Sequence, residues 1–163
     1  MNSIYLWVAL GISVLYIVNT ILKYGWLPSI SHSYMVRKRS WLFQLWCWCT
    51  AVLLFLGLYE VSLFVLPTSL GLIIVGCTPD LNNSKHNVWH NAGAILSILS
   101  GCALVTHLDL VIGLITTGVI AVFAGLAFLR GMRNKIFWIE VLTIGSLLLL
   151  LLTKFRNYGK RDV

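Results

Sequence analysis

Acidic side chains are almost missing from this chain. Five Asp and Glu stand among 163 residues, and all charged residues together reach only 10%. Soluble domains usually carry about a quarter charged residues, so a water-soluble globule is excluded. With 59% hydrophobic residues and a mean hydropathy of +0.89, the apolar side chains outnumber what a core of this size can hide, and a bilayer must solvate most of them. Polar linkers, low-complexity tracts and internal repeats are also lacking, which leaves one integral membrane domain over 1–163 and no room for a soluble one. The chain has no C-x-x-C. Its cysteines, Cys47, Cys49, Cys77 and Cys102, lie in or beside apolar stretches and read as small buried hydrophobes, not as a disulfide framework. Met1-Asn2-Ser3 offers no cationic leader and no A-x-A site follows, so the first apolar stretch is expected to be a retained helix.

What is present is a series of long apolar runs. The expected fold is all-α, a polytopic membrane helix bundle of about six transmembrane helices, with spans at 4–22, 41–58, 61–78, 88–105, 110–129 and 136–153. The first run, at about 19 residues and ~1.5 Å each, just crosses a ~30 Å hydrocarbon core. The third contains Pro67 and is expected to tolerate it near the helix start. Gly93, Ala92, Ala94, Ser97, Ser100 and Gly101 make one flank of the fourth small, which lets helices approach closely in lipid.

The net charge of +7 invites a nucleic-acid reading, but the placement of the charge opposes it. Lys23, Arg37 to Arg39, Arg130 to Lys135 and Lys154 to Arg161 all border apolar runs, the pattern of anchors meeting anionic headgroups. The expected partners are membrane lipids, not nucleic acid. Loops one-two, three-four and five-six hold eight Lys and Arg against four in the tail, so both termini are expected outside a bacterial inner membrane.

The same topology gathers polar residues on one face. Ser29 to Tyr34, the stretch from Gly76 to Asn91, and Glu140 near the start of the last span are expected to converge. Ser31, His32, Ser33, Tyr34, Asp80, His86, His90, Asn91 and Glu140 are therefore the candidate site residues. Ionisable groups at membrane depth are costly and are kept for a reason. Each also has a plain structural reading. His86 and His90 stand four apart, one helical turn, and with Asp80 or His32 make a possible zinc site; the plainer reading is an interfacial pair capping a helix start and bonding to water. Asp80, after Pro79, is a catalytic acid or a helix cap. Ser31 and Ser33 flank His32, yet sequence adjacency is not the spatial arrangement a nucleophile needs. The chain has neither G-x-S-x-G nor H-E-x-x-H. Glu140 pairs with a basic residue or acts in a site.

At Ser29-Ile-Ser-His-Ser-Tyr34, Val75-Gly-Cys-Thr-Pro79, His90-Asn-Ala-Gly-Ala94 and Phe137-Trp-Ile-Glu140 the chain resembles a group of six-span membrane proteins of Bacteroidetes bacteria and their phages. That likeness covers most of the chain and implies no particular activity. Gly76-x-x-Pro79-Asp80 followed by His90 is also similar to another bacterial membrane family and, more distantly, to the CREST superfamily of membrane hydrolases. The latter resemblance implies a zinc site built from Ser31 or Ser33, Asp80, His86 and His90. The chain departs from CREST in having six expected spans, a histidine pair in mid-chain and none in the last helix.

Two functions are therefore expected first: binding of a lipid or small amphipathic ligand at the polar cluster, or zinc-dependent hydrolysis of a lipid amide or ester. Asp80, His90, Glu140 and Ser31 would act in the chemistry, and His32, Ser33, Tyr34 and Asn91 would hold the ligand. A small transporter and a phage or host membrane-interaction protein are the further alternatives.

Overall fold

Every backbone N–H and C=O inside a bilayer needs a partner from its own chain, and a helix supplies one locally. The computed structural model describes the backbone of residues 3–36, 41–79, 84–132 and 134–158, and the side chains of all of these but 3, 147–149 and 151–158. Asp80 and the basic residues Arg37 to Arg39 and Arg133 lie outside the described residues. Among those described, the chain is all helix and connecting turn: α1 (Ser3–Tyr24), α2 (Ser33–Val36), α3 (Trp41–Leu58), α4 (Val65–Cys77), α5 (Ser84–Leu108), α6 (Leu110–Leu129) and α7 (Lys135–Tyr158). The all-α expectation holds. Four of these helices, α1, α3, α5 and α6, are long and apolar enough to cross a membrane.

The third apolar run differs from expectation. Its helix begins at Val65 instead of 61 and has 13 residues, about 20 Å at ~1.5 Å per residue, short of a ~30 Å core. Residues 61 to 64 form turns: the Val65 amide donates to the Ser62 carbonyl, and the Ser62 hydroxyl accepts from the Phe64 amide. Pro67 falls in the first turn of α4, where a missing N–H costs nothing because that amide has no intrahelical acceptor.

α1 packs on α3, α3 on α4, α4 on α5, α5 on α7, and α7 returns to α1. These five helices make a ring. α6 stands outside it against α5 and α7 and turns Val111, Leu114, Ile115, Val119 and Val122 outward. An apolar face of that extent belongs in lipid or an interface, not in water. Inside the ring are two apolar layers. Leu6, Leu54, Leu58, Val65 and Leu104 form one; Tyr16, Ile17, Ile30, Phe43, Val75 and Phe137 form the other.

Small residues set the closest crossings, as van der Waals packing requires where no hydrophobic force drives helices together. A Cβ on Gly71 would lie 2.6 Å from the Gly93 carbonyl, and one on Gly113 would lie 2.2 Å from the Thr106 Cα. Hydroxyl groups in the helices are satisfied one turn back: Ser13 donates to the Ala9 carbonyl, Thr68 to Phe64, Ser100 to Leu96 and Thr143 to Ile139. These polar residues thereby enter the apolar runs with their donors paired, whereas the buried Ser69 hydroxyl of α4 has no hydrogen-bond partner among the described residues.

Candidate functional site

Residues 25 to 36 leave α1 through Gly25, at φ +71°, and fold back onto the ring. Two aromatic contacts hold them: Trp26 stacks on Trp138 at 5.0 Å and meets Phe137 edge-on at 5.8 Å. The exchange with α7 is reciprocal. The Phe137 amide, an unsatisfied donor of the α7 first turn, donates to the Pro28 carbonyl at 3.1 Å. In return the Ile30 amide donates to Glu140 Oε2 at 2.6 Å, and the Ser31 hydroxyl hydrogen-bonds the same carboxyl. Ile30, Ser31 and Ser33 are buried. The Ser33 hydroxyl shares a 2.6 Å hydrogen bond with the Tyr16 hydroxyl, and Tyr16 stacks on Trp46 at 4.8 Å and 6°.

Glu140 and Ser31 line a cavity of about 80 Å³ with Ile30, Phe43, Cys47 and Val75 around them. Below it a second cavity of about 90 Å³ reaches Leu6, Ala9 and Leu54. Trp46, Leu72, Ser97, Thr143 and Ile144 line both. The two are thus consecutive parts of one slot inside the ring. From Phe43 to Leu54 on α3 it runs about 16 Å, at ~1.5 Å per residue. Its upper end is polar and carries a carboxyl; the remainder is apolar apart from isolated hydroxyls.

The expected cluster divides. Ser31 and Glu140 meet. Ser33 is engaged by Tyr16. Tyr34 packs half-buried against the upper apolar layer. His32 is half-buried, and its backbone amide donates to the Ser29 hydroxyl. His90 is buried, 4% exposed, and its Nδ1 lies 2.9 Å from the Thr78 carbonyl. A carbonyl only accepts, so Nδ1 carries the proton. His90 thereby caps the carboxyl end of α4, where the last carbonyls lack helical partners. Gln44 does the same for the Gly76 carbonyl at 3.3 Å. His86 and Asn91 are exposed, and Asn91 donates to Asn87 at 3.0 Å.

The histidine pair therefore splits between a buried cap and the surface. Among the described residues no group of three His, Cys, Asp or Glu is placed to hold a metal ion. The described members of the CREST-like set do not fit a zinc centre, and Asp80 lies outside the described residues. On the opposite face Tyr59 donates to Glu60 at 2.9 Å; that bond, and then the carboxylate charge, push the Tyr59 phenol above its ordinary pKa.

Several residues of the slot carry no chemical motif. Thr143, Ser97 and Gly101 read from sequence as packing residues or not at all. The one available signal was polarity or small size inside apolar runs. No family model, curated protein or solved structure matches the chain.

Proposed function

We propose that the protein is a multi-pass cell-membrane protein, with six segments crossing or entering the bilayer, that binds a lipid or small amphipathic molecule inside the helix ring. The observation that carries this reading is the graded slot: Glu140 and Ser31 at one end, and an apolar lining running from Phe43 and Val75 down to Leu6 and Leu54. A ligand with a polar head and an apolar tail matches that gradient, and ligand sites typically combine an apolar lining with a few placed polar groups. A zinc-dependent hydrolase draws no support from the described donors, because His90 is committed to Thr78 and His86 is at the surface.

The test is native mass spectrometry of the delipidated protein titrated with a short-chain amphiphile such as hexanol. A single stoichiometric adduct is expected in the wild type. It should be lost in Thr143→Phe, which places a ring where the two parts of the slot join. Equal uptake by the two proteins, or none by the wild type, would sink the reading.

A further inference from the structure

Resting on that reading, we infer that the slot selects a single-chain amphiphile whose head donates hydrogen bonds, an alcohol or an amine, over one with an anionic head. The head end decides this. The two oxygens of a carboxyl group offer more than two acceptor sites in either protonation state, and the protein supplies two donors to Glu140, the Ile30 amide and the Ser31 hydroxyl. Acceptor capacity is left over at the cavity wall. No Lys, Arg or His lines either part of the slot among the described residues. A carboxylate or phosphate head would enter an apolar space beside a carboxyl group with no cation to offset it, and burying unpaired charge is costly. A hydroxyl or ammonium head instead meets the leftover acceptor and completes the set.

The remaining polar groups of the wall do not reverse the preference. Thr143 donates to the Ile139 carbonyl and Trp46 donates to the Ser13 hydroxyl at 3.2 Å. Their donors are occupied, and the other wall hydroxyls, Ser97 among them, are neutral groups that bring no charge to offset an anion. The small volume of the slot, two parts of about 90 and 80 Å³, on the scale of a cavity that holds one benzene, sets the tail: one short alkyl chain and not the paired chains of a phospholipid.

The experiment compares three probes of equal chain length, hexylamine, hexanol and hexanoate, at neutral pH by native mass spectrometry on the full chain, with Thr143→Phe as the blank. Hexylamine and hexanol should bind the wild type, and hexanoate should bind roughly tenfold more weakly, the scale of one charge-assisted hydrogen bond. Glu140→Gln keeps an acceptor for Ile30 and replaces the carboxyl group, and should shrink that gap. The rank order in the wild type stands without any variant. Hexanoate binding as well as the amine would overturn the inference and leave the ligand-binding reading intact. No probe binding above the blank would remove both.

Discussion

Glu140 and Ile30 stand 110 positions apart, yet the Ile30 amide donates to Glu140 Oε2 at 2.6 Å. One carboxyl thereby satisfies a buried backbone donor of the re-entering segment and fixes that segment on α7. Glu140→Leu strands the Ile30 amide, and a buried unsatisfied donor costs about 1–3 kcal/mol. Glu140→Gln keeps an acceptor in place. Thermal unfolding in detergent should show the leucine variant markedly below the glutamine variant, with the latter close to wild type. Equal losses would mean that the hydrogen bond to Ile30 contributes nothing.

His86 and His90, alike in sequence, should behave differently. His90 is buried and caps the Thr78 carbonyl, whereas His86 is exposed. His90→Ala removes the cap and leaves a small cavity, for an expected loss on the order of 1–3 kcal/mol. His86→Ala should stay within about 0.5 kcal/mol of wild type. Chemical denaturation of the two variants side by side measures the difference, and similar stabilities would refute the capping role.

The fold was legible because its signal is redundant. Long apolar runs, cationic edges and the near-absence of acids all demand helices in lipid, and no single residue decides the matter. The α4 boundary was less legible, because Val61 to Phe64 is apolar enough to continue a helix and only the Ser62 turn stops it. Of the site, the Ser31–Glu140 meeting was anticipated, since loop order places both on one face. The role of His90 was not. A histidine entering a span reads equally as ligand, base or cap, and the choice depends on where the carboxyl end of α4 lies, a distance that sequence does not contain. The slot was invisible for a related reason: Ser97, Gly101 and Thr143 become a cavity wall only when five helices close around them.

Two glycines on α6 separate steric need from tolerance. A Cβ on Gly113 would sit 2.2 Å from the Thr106 Cα, while nothing lies within 4 Å of one on Gly118. Gly113→Ala must push α6 away from α5, and overpacking of this kind costs about 1–3 kcal/mol. Gly118→Ala replaces the poorer helix former and should be neutral or stabilising by up to about 1 kcal/mol. Melting temperatures of the two variants should fall on opposite sides of wild type or nearly so. A harmless Gly113→Ala would show that the α5–α6 crossing is looser than the backbone contact implies.

The Tyr16–Ser33 hydrogen bond, 2.6 Å between two buried hydroxyls, links the re-entering segment to α1 as Glu140 links it to α7. Neither hydroxyl is exposed to a competing solvent, so its loss is not repaid by water. Tyr16→Phe keeps the ring that stacks on Trp46 and deletes only the hydroxyl; Ser33→Ala deletes the other side. Each single variant should lose roughly 1–2 kcal/mol, and the double variant less than the sum, giving a coupling of about 0.5–1.5 kcal/mol. Hydrogen exchange adds a local readout. Amides from Ile30 to Tyr34 should exchange faster in either variant, while those of α6, which stands outside the ring, should not change. Strict additivity with unchanged exchange at Ile30 to Tyr34 would mean that α7 alone holds the segment in place.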